Sequence, residues 1–219
     1  MKYDLVCFDL DGTLVDTFPF IIDSYKKAVI KKYGVFKESI KDITAQIGMP
    51  IKYFYANYPE EDRKELQDTF ADINDKAQST GVPFFDGIKE MLFSLKKVVK
   101  VGLVTSKRNQ PLYEWIKKEG LLNFFDVVIG RNDTNIHKPN GETLMLAMSK
   151  LKVSPNKTLY VGDAIFDILC AKNAKASSCL VGWTALTKQE IQEIAPDYII
   201  DKPGDILNLI KWRKNHLYI

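Results

Sequence analysis

The sequence predicts an α/β fold in which a parallel β-sheet is flanked by helices. Three observations lead to this prediction. Short runs rich in Val, Ile and Leu recur along the chain, and segments with helical periodicity separate them. Apolar runs of this length are typical of parallel strands that are buried on both faces. Most of these runs end in a polar or charged residue, as expected where parallel strands deliver side chains to a ligand site.

The first predicted strand, residues 5–8, ends in two carboxylates, Asp9 and Asp11. Extended geometry places side chains two residues apart on the same face of a strand. Two acids at the end of a buried strand are unfavourable, because like charges repel and each carboxylate resists leaving water. A divalent cation bound between them would remove both penalties.

Residues 17–82 contain no strand-like run and have helical periodicity. We expect a helix that ends at Gly34, a second helix over about 38–46, and a long polar helix over about 59–80. An insertion directly after the first strand must overhang the carboxyl ends of the strands, which favours a lid. The alternative is that these helices form one half of a single rigid domain.

After Pro83 the alternation of strands and helices resumes. Each strand is a short apolar run, and each helix carries apolar residues at a spacing of three to four. The predicted strands are 101–104, 126–130, 159–162, 178–181 and 198–200, and the predicted helices are 88–97, 109–120, 141–150, 164–174 and 203–210.

Because the carboxyl ends of parallel strands meet at one edge of a sheet, the polar residues that follow the strands should lie close together. Carboxylates suit a Mg²⁺ ion, whereas hydroxyls, backbone N–H groups and a lysine suit a phosphate group. The residues expected to converge are Asp9, Asp11, Thr105, Ser106, Lys138 and Asp163, with Asp167 one helical turn after Asp163.

Four motifs occur in a fixed order: DxDGT at 9–13, TS at 105–106, KP at 138–139 and GDxxxD at 162–167. In this order they resemble the haloacid dehalogenase-like hydrolase superfamily, over nearly the whole chain. The segments YVGDAIFDI and VGWT, which begin at Tyr160 and Val181, resemble the branch that contains phosphoglycolate phosphatases and a bacterial-type pyrophosphatase.

The resemblance implies a three-layer, Rossmann-like parallel-sheet core of residues 1–16 and 83–219, and a small helical cap of residues 17–82. It also implies Mg²⁺ as the cofactor. Asp9 would be the nucleophile that forms an aspartyl-phosphate, and one of its oxygens would bind the metal. Asp11 would act as general acid and base, and would bind the metal through its main-chain carbonyl.

The resemblance assigns Asp163 as the remaining metal ligand, Lys138 as the fixed cation for the transferring phosphoryl group, and Thr105 and Ser106 as phosphate-binding residues. Asp167 would either lie behind Asp163 as a hydrogen-bond acceptor or pair with Lys138. The structural alternatives are ordinary helix capping for the two hydroxyl residues and for Asp163.

Capping by Asp167 is disfavoured, because this residue lies too far into the predicted helix. Lys107, next to the TS motif, is interpreted as a solvated surface residue. The chain departs from the family pattern at Gly141, where a second proline is common, and at Lys175, where glycine is common. We expect these two differences to change loop geometry and not the chemistry.

The predicted cap is polarised, with seven lysines and three acids in residues 17–57 and the opposite balance in residues 58–82. Its basic part contains a break in helical periodicity that resembles the substrate-reading loop of the family. The residues of this predicted loop are Gly48, Met49, Pro50 and Lys52. We expect the loop to face Asp9 when the cap closes and to favour a small anionic leaving group. The alternative is that the lysines are solvated helix surface.

The composition excludes several classes of partner. A formal net charge of +3 without a clustered basic stripe argues against nucleic acid, and no apolar run reaches the ~20 residues that span a bilayer. Three cysteines without framework spacing indicate free thiols in a reducing cytoplasm, and Cys7 is interpreted as a small buried hydrophobic residue. The expected partner is a small phosphorylated metabolite, and the expected oligomeric state is a monomer or a homodimer.

The predicted function is Mg²⁺-dependent hydrolysis of a small, phosphoglycolate-like phosphate ester or of pyrophosphate. A sugar phosphomutase shares the core motifs and stays open, as does a phosphate-binding regulatory protein without turnover. The acid at Asp11 argues against the dehalogenases of the superfamily, which lack it. Phosphonate cleavage is disfavoured, because Ile51 stands where that group has its cap lysine.

Overall fold

The computed structural model describes residues 1–44, 51–79, 81–121 and 123–211, without the side chain of Lys52. Its centre is a six-stranded sheet in which every paired neighbour is parallel, in the order β3-β2-β1-β4-β5-β6. The predicted parallel sheet is therefore confirmed. The strands are β1 (Leu5–Phe8), β2 (Lys100–Val104), β3 (Val127–Ile129), β4 (Thr158–Gly162), β5 (Ser177–Val181) and β6 (Tyr198–Ile200).

Strand β1 lies in the middle of the sheet, where Val6 is paired with Val101 of β2 and with Leu159 of β4. All four of its residues are buried, and they alternate between the two hydrophobic clusters on opposite faces of the sheet. Burial on both faces explains why β1 is apolar throughout, and it places the residue that follows, Asp9, at the centre of one sheet edge.

The inserted segment consists of helices α1 (Phe18–Tyr33), α2 (Ile40–Thr44) and α3 (Glu60–Ser79), with a short 3₁₀ helix at Ile51–Tyr53. Helix α2 begins later than predicted, because Ser39 and Asp42 cap its first turn. The Ser39 N–H donates to Asp42 Oδ2 at 3.1 Å, and the Asp42 N–H donates to Ser39 Oγ at 3.2 Å.

Helices α1 and α3 pack around a hydrophobic cluster of their own, in which the rings of Tyr25 and Tyr55 stack with centroids 4.2 Å apart. The two ends of the segment leave the sheet side by side. The Asp16 N–H donates to the Pro83 carbonyl at 2.8 Å, and Val15 and Phe84 form an antiparallel bridge. The division into a core of residues 1–16 and 83–219 and a mobile cap of 17–82 stays a prediction.

The remaining helices cover the two faces of the sheet, as expected for a three-layer α/β fold. The predicted helix over 203–210 is divided into a 3₁₀ turn at Pro203–Asp205 and a short α-helix. None of the described helices has the length and apolarity to cross a membrane. The helices are α4 (Ile88–Lys96), α5 (Asn109–Lys118), α6 (Glu142–Leu151), α7 (Ile165–Asn173), α8 (Lys188–Ile194) and α9 (Ile206–Ile210).

The three cysteines, Cys7, Cys170 and Cys179, are free and buried. Burial raises the pKa of each thiol above its usual range, so that each side chain stays protonated. The prediction that Cys7 acts as a small buried hydrophobic residue is consistent with its place in the sheet core.

Candidate active site

Three buried carboxylates meet at the carboxyl edge of the sheet. Asp9 directly follows β1, Asp163 directly follows β4, and Asp167 lies in the first turn of α7. One oxygen of each carboxylate lies within 4.8 Å of the others, and the three residues are 6%, 5% and 2% exposed. The topology thus brings Asp9 together with two acids that lie more than 150 positions later in the chain.

Among the described residues, Lys138 is the one that places a positive charge inside this group. Its Nζ donates to Asp9 Oδ1 at 2.8 Å and to Asp167 Oδ1 at 2.6 Å. The hydroxyl of Tyr160 lies 3.2 Å from the same Nζ and is held by the Val104 carbonyl at 2.7 Å. The peptide bond between Lys138 and Pro139 is cis.

The charges of this group do not balance, because three carboxylates surround one ammonium group. Burial raises the pKa of Asp9 to about 7, although the neighbouring Lys138 lowers it. Burial and the charges of Asp167 and Asp9 raise the pKa of Asp163 well above its usual range. Burial lowers the pKa of Lys138, but Asp167 and Asp9 outweigh that effect and raise it. The cluster therefore has a deficit of positive charge.

The DxDGT segment and the VGWT segment together hold Asp163 in place. Thr13 Oγ1 donates to Asp163 Oδ1 at 2.8 Å, and Thr184 Oγ1 donates to the Asp163 carbonyl. Trp183 Nε1 donates to the Thr13 carbonyl at 3.3 Å. Gly12 has φ +82°, and a Cβ atom there would lie 2.4 Å from Asp163 Oδ2, so that only glycine fits.

The carboxylates face a cleft of about 740 Å³ between the sheet edge and the inserted helices. Asp9, Asp11, Lys138 and Asp163 form part of one wall. The opposite wall includes residues of α3 at helical spacing, which place one face of that helix toward the cleft. The cleft residues on α3 are Gln67, Asp68, Phe70, Ala71, Asn74, Asp75 and Gln78.

The comparisons agree with this geometry. A family model described as haloacid dehalogenase-like hydrolase matches residues 6–181. The chain belongs to the haloacid dehalogenase-like hydrolases. A Clostridium perfringens relative that carries the name PpaX is 37% identical over 207 residues, covering 94% of this chain and 96% of the relative. The prediction that the chain is a hydrolase of this family is confirmed.

Two further proteins are similar over almost the full length. Pyrophosphatase PpaX of Bacillus velezensis is 32% identical over 207 residues, covering 93% of this chain and 94% of that protein. The structure of a haloacid dehalogenase-like family hydrolase from Streptococcus pneumoniae superimposes with a TM-score of 0.86 at 22% identity, covering 96% of this chain and 99% of that one. The structural likeness confirms the predicted fold.

Within this haloacid dehalogenase-like site, the Asp11 carboxylate lies outside the group formed by the other three acids. Its Oδ1 is 3.4 Å from Lys107 Nζ, and its side chain is 26% exposed. This position is compatible with the predicted division of roles, in which the carboxyl group of Asp11 stays off the metal.

The prediction that Lys107 is a solvated surface residue is wrong. Its side chain is only 8% exposed, because α3 passes over it. Lys107 Nζ donates to Gln78 Oε1 of that helix as well as facing Asp11. Lys107 therefore joins the inserted segment to the DxDGT segment, a role that its sequence neighbours did not indicate.

Thr105 and Ser106 both line the cleft, as expected for phosphate-binding residues. Thr105 is buried, its N–H donates to the Ile129 carbonyl at 2.9 Å, and its Oγ1 accepts from the Lys107 N–H at 3.3 Å. Ser106 is exposed. Helix α5 begins only at Asn109, so the alternative that these two residues cap that helix is not supported.

The expectation that Asp167 lies too far into its helix to cap it is wrong. Helix α7 begins at Ile165, so that Asp167 occupies the third helical position, and its Oδ2 accepts from the Ala164 N–H at 3.1 Å. Its Oδ1 at the same time binds Lys138, which was the other predicted role. The carboxylate is thus held from two sides.

The predicted substrate loop, Gly48, Met49 and Pro50, lies outside the described residues, as does the side chain of Lys52. Ile51 and Tyr53, which follow the loop and are described, line the cleft, and Tyr53 is 46% exposed. The role of the loop stays a prediction.

Proposed function

We propose that this chain is a Mg²⁺-dependent phosphatase that hydrolyses a small phosphate ester or pyrophosphate through an aspartyl-phosphate on Asp9. The observation that carries the proposal is the group of three buried carboxylates around Lys138 at the floor of the cleft. The relative named pyrophosphatase PpaX supports the substrate class. The proposed partner is a small phosphorylated metabolite, handled in the cytoplasm.

The residues present fit a magnesium ion. The donor set consists of oxygen atoms, which Mg²⁺ prefers, and the buried cluster has more negative than positive charge. Asp9 and Asp163 would hold the ion with their carboxylates, and Asp11 with its main-chain carbonyl. Bound Mg²⁺ would offset the negative charge that develops on the transferring phosphoryl group.

The chain's own residues account for the two chemical steps. In the first step an oxygen of Asp9 attacks phosphorus, the bond to the leaving-group oxygen breaks, and Asp11 gives that oxygen a proton. In the second step a water molecule attacks phosphorus, Asp11 takes up its proton, and the Asp9 carboxylate is released. Lys138 holds an oxygen of the phosphoryl group throughout, and Thr105 and Ser106 supply hydroxyl donors.

The test is a phosphate-release assay on a panel of small phosphate esters and pyrophosphate, with Mg²⁺ and with EDTA. We expect turnover only with the metal, and at least a ~10³-fold loss in Asp9→Asn, because the nucleophile and a metal ligand are lost together. Folded wild-type protein that binds phosphate but releases none from any substrate would instead indicate a regulatory protein.

Analysis of the organic product separates hydrolysis from a phosphomutase reaction. Hydrolysis gives inorganic phosphate in an amount equal to the ester consumed, whereas a mutase returns the phosphoryl group to a sugar. Isomerised sugar phosphate without release of phosphate would contradict the proposal.

A further inference from the structure

A chain of polar side chains connects Asp11 to the cleft wall formed by α3. Lys107 Nζ lies 3.4 Å from Asp11 Oδ1 and donates to Gln78 Oε1. Gln78 Nε2 in turn donates to Asn74 Oδ1 at 3.1 Å. Gln78 is only 6% exposed and the Lys107 side chain only 8%, so water competes little for these bonds.

The ammonium group sets the direction of every bond in this chain. An ammonium group can only donate, so Gln78 must turn its oxygen toward Lys107 and its NH₂ group toward Asn74. Asn74 must then accept with its oxygen, and its own NH₂ group is left for another partner. Among the residues that the structure describes, Asn74 Nδ2 makes no hydrogen bond.

Asn74 lines the same cleft as Asp9 and Lys138, on the wall opposite the nucleophile. The two acids of α3 on that wall are each paired. Asp68 lies 2.8 Å from Lys64 Nζ, and Asp75 is bonded to Arg108. An anionic group that enters the cleft therefore meets the Asn74 amide on this wall, and the neighbouring carboxylates are already partly neutralised.

We infer that Asn74 is a specificity-determining residue whose NH₂ group donates to an oxygen of the leaving group. Gln78 and Lys107 are positioning residues, because they fix which end of the Asn74 amide faces the cleft. The inference rests on the proposed phosphatase function. It assigns the substrate class as phosphate compounds whose leaving group carries acceptor oxygens of its own, either the second phosphate of pyrophosphate or the carboxylate of a phosphoglycolate-like ester.

The first experiment removes the donor. In Asn74→Leu, which has a similar size, kcat/KM should fall about 10- to 100-fold for pyrophosphate or 2-phosphoglycolate, as expected for a lost hydrogen bond to a charged group. Phenyl phosphate, whose leaving group carries no further acceptor, should change by less than about threefold, because only binding of the leaving group is altered. The substrate that shows the larger fall identifies which anion the site reads.

The second experiment reverses the orientation of the Asn74 amide without replacing Asn74. In Gln78→Glu, both side-chain oxygens are acceptors, so Asn74 must turn its NH₂ group toward Glu and present its oxygen to the cleft. The preference for the anionic leaving group over phenyl phosphate should fall about tenfold or more. An indirect effect through Asp11 would persist when Asn74 is also replaced, so a double variant distinguishes it from an effect through Asn74.

The double variant Asn74→Leu/Gln78→Glu should show the same preference as Asn74→Leu alone, because Gln78 acts through Asn74. The matched control is Gln189→Glu, the same chemical change on the exposed surface of α8, where the Gln189 NH₂ group donates to Glu193, a side chain one helical turn away as Asn74 is from Gln78. It should leave all three substrates unchanged.

Three outcomes overturn the inference alone. One is an equal loss on all substrates in Asn74→Leu, and another is additive effects in the double variant. A wild-type protein that hydrolyses phenyl phosphate but neither anionic substrate would also overturn it. Failure of the wild-type protein to hydrolyse any of the three, or any other member of the panel, would overturn the proposed function and this inference with it.

Discussion

Replacement of Asp163 by asparagine should stabilise the metal-free protein and remove its stabilisation by magnesium. Asp163 faces two carboxylates, from Asp9 and Asp167, and one ammonium group. The carboxylate oxygens lie within 4.8 Å of one another, and like charges at this upper limit repel by roughly 3 kcal/mol at an effective dielectric constant of about 20. If Lys138 offsets one of the two repulsions, about one remains uncompensated at a pH at which the three carboxylates are ionised and no cation is bound.

The asparagine keeps one favourable contact, because its Oδ1 can still accept from Thr13 Oγ1, now 2.8 Å away. The new NH₂ group must find a buried partner, which reduces the gain by about 1–2 kcal/mol. The net stabilisation is therefore about 1–2 kcal/mol. For a chain of this length, this corresponds to a rise in Tm of about 2–8 °C.

Magnesium should reverse the order of stability. At a concentration of about 100 times its Kd, a ligand that binds only the folded state adds about 2.7 kcal/mol to the free energy of unfolding. Wild-type protein should gain this amount, whereas Asp163→Asn should gain little. The assay is thermal unfolding of both proteins in EDTA and in a magnesium titration. A variant that is less stable than wild type in EDTA, or that gains as much from magnesium, would refute this account of the cluster.

Three further changes test other parts of the account. In a calorimetric titration, Asp11→Asn should bind magnesium almost as wild type does. Its kcat should fall about 10²–10⁴-fold, because the general acid and base is lost. Loss of magnesium binding would mean that the Asp11 carboxylate is a metal ligand. Substitution of the loop 48–50 together with Lys52 should change KM and the ranking of a phosphate-ester panel and leave magnesium binding intact; an unchanged ranking would separate the loop from specificity. Lys175 has φ +60°, a conformation that glycine adopts more easily than lysine. Lys175→Gly should therefore raise the free energy of unfolding, measured in urea, by about 0.5–1 kcal/mol. No change would indicate that the backbone at this residue is unstrained.

The convergence of the acids could be predicted from the sequence because each one follows a strand. In a parallel sheet, a residue that directly follows a strand lies at the carboxyl edge of the sheet. The neighbouring sequence alone shows whether a residue follows a strand. Asp9, Asp163 and Lys138 were therefore found without knowledge of the contacts between them. Thr13 and Thr184 were noticed as parts of motifs, but their bonds to Asp163 depend on segments 150 and 21 positions away.

The burial of Lys107 could not be predicted, because it depends on where α3 crosses the sheet edge. A lysine between a serine and an arginine resembles a surface residue locally. Its partner Gln78 is 29 positions earlier, in a different structural segment. The same argument applies to Asn74, which accepts a hydrogen bond from Gln78, the residue that is itself bonded to Lys107.

The departure from the family pattern at Gly141 has a packing reason that only the structure reveals. A Cβ atom at Gly141 would lie 2.6 Å from the backbone nitrogen of Ala174. Nearby, Asn173 Nδ2 donates to the Pro139 carbonyl at 2.8 Å. The KP motif and the end of α7 are therefore in close contact, and the residue after Asn140 must be small.

The central claim is that Asp9 receives the phosphoryl group, and rapid acid quenching followed by mass spectrometry tests it most directly. Wild-type protein mixed with magnesium and a substrate from the panel, then quenched within one turnover, should gain the mass of one phosphoryl group. Peptide fragmentation should place that group on Asp9, and Asp9→Asn should show no gain under the same conditions. Wild-type protein that turns over substrate while the phosphoryl group is found on another residue would contradict the account.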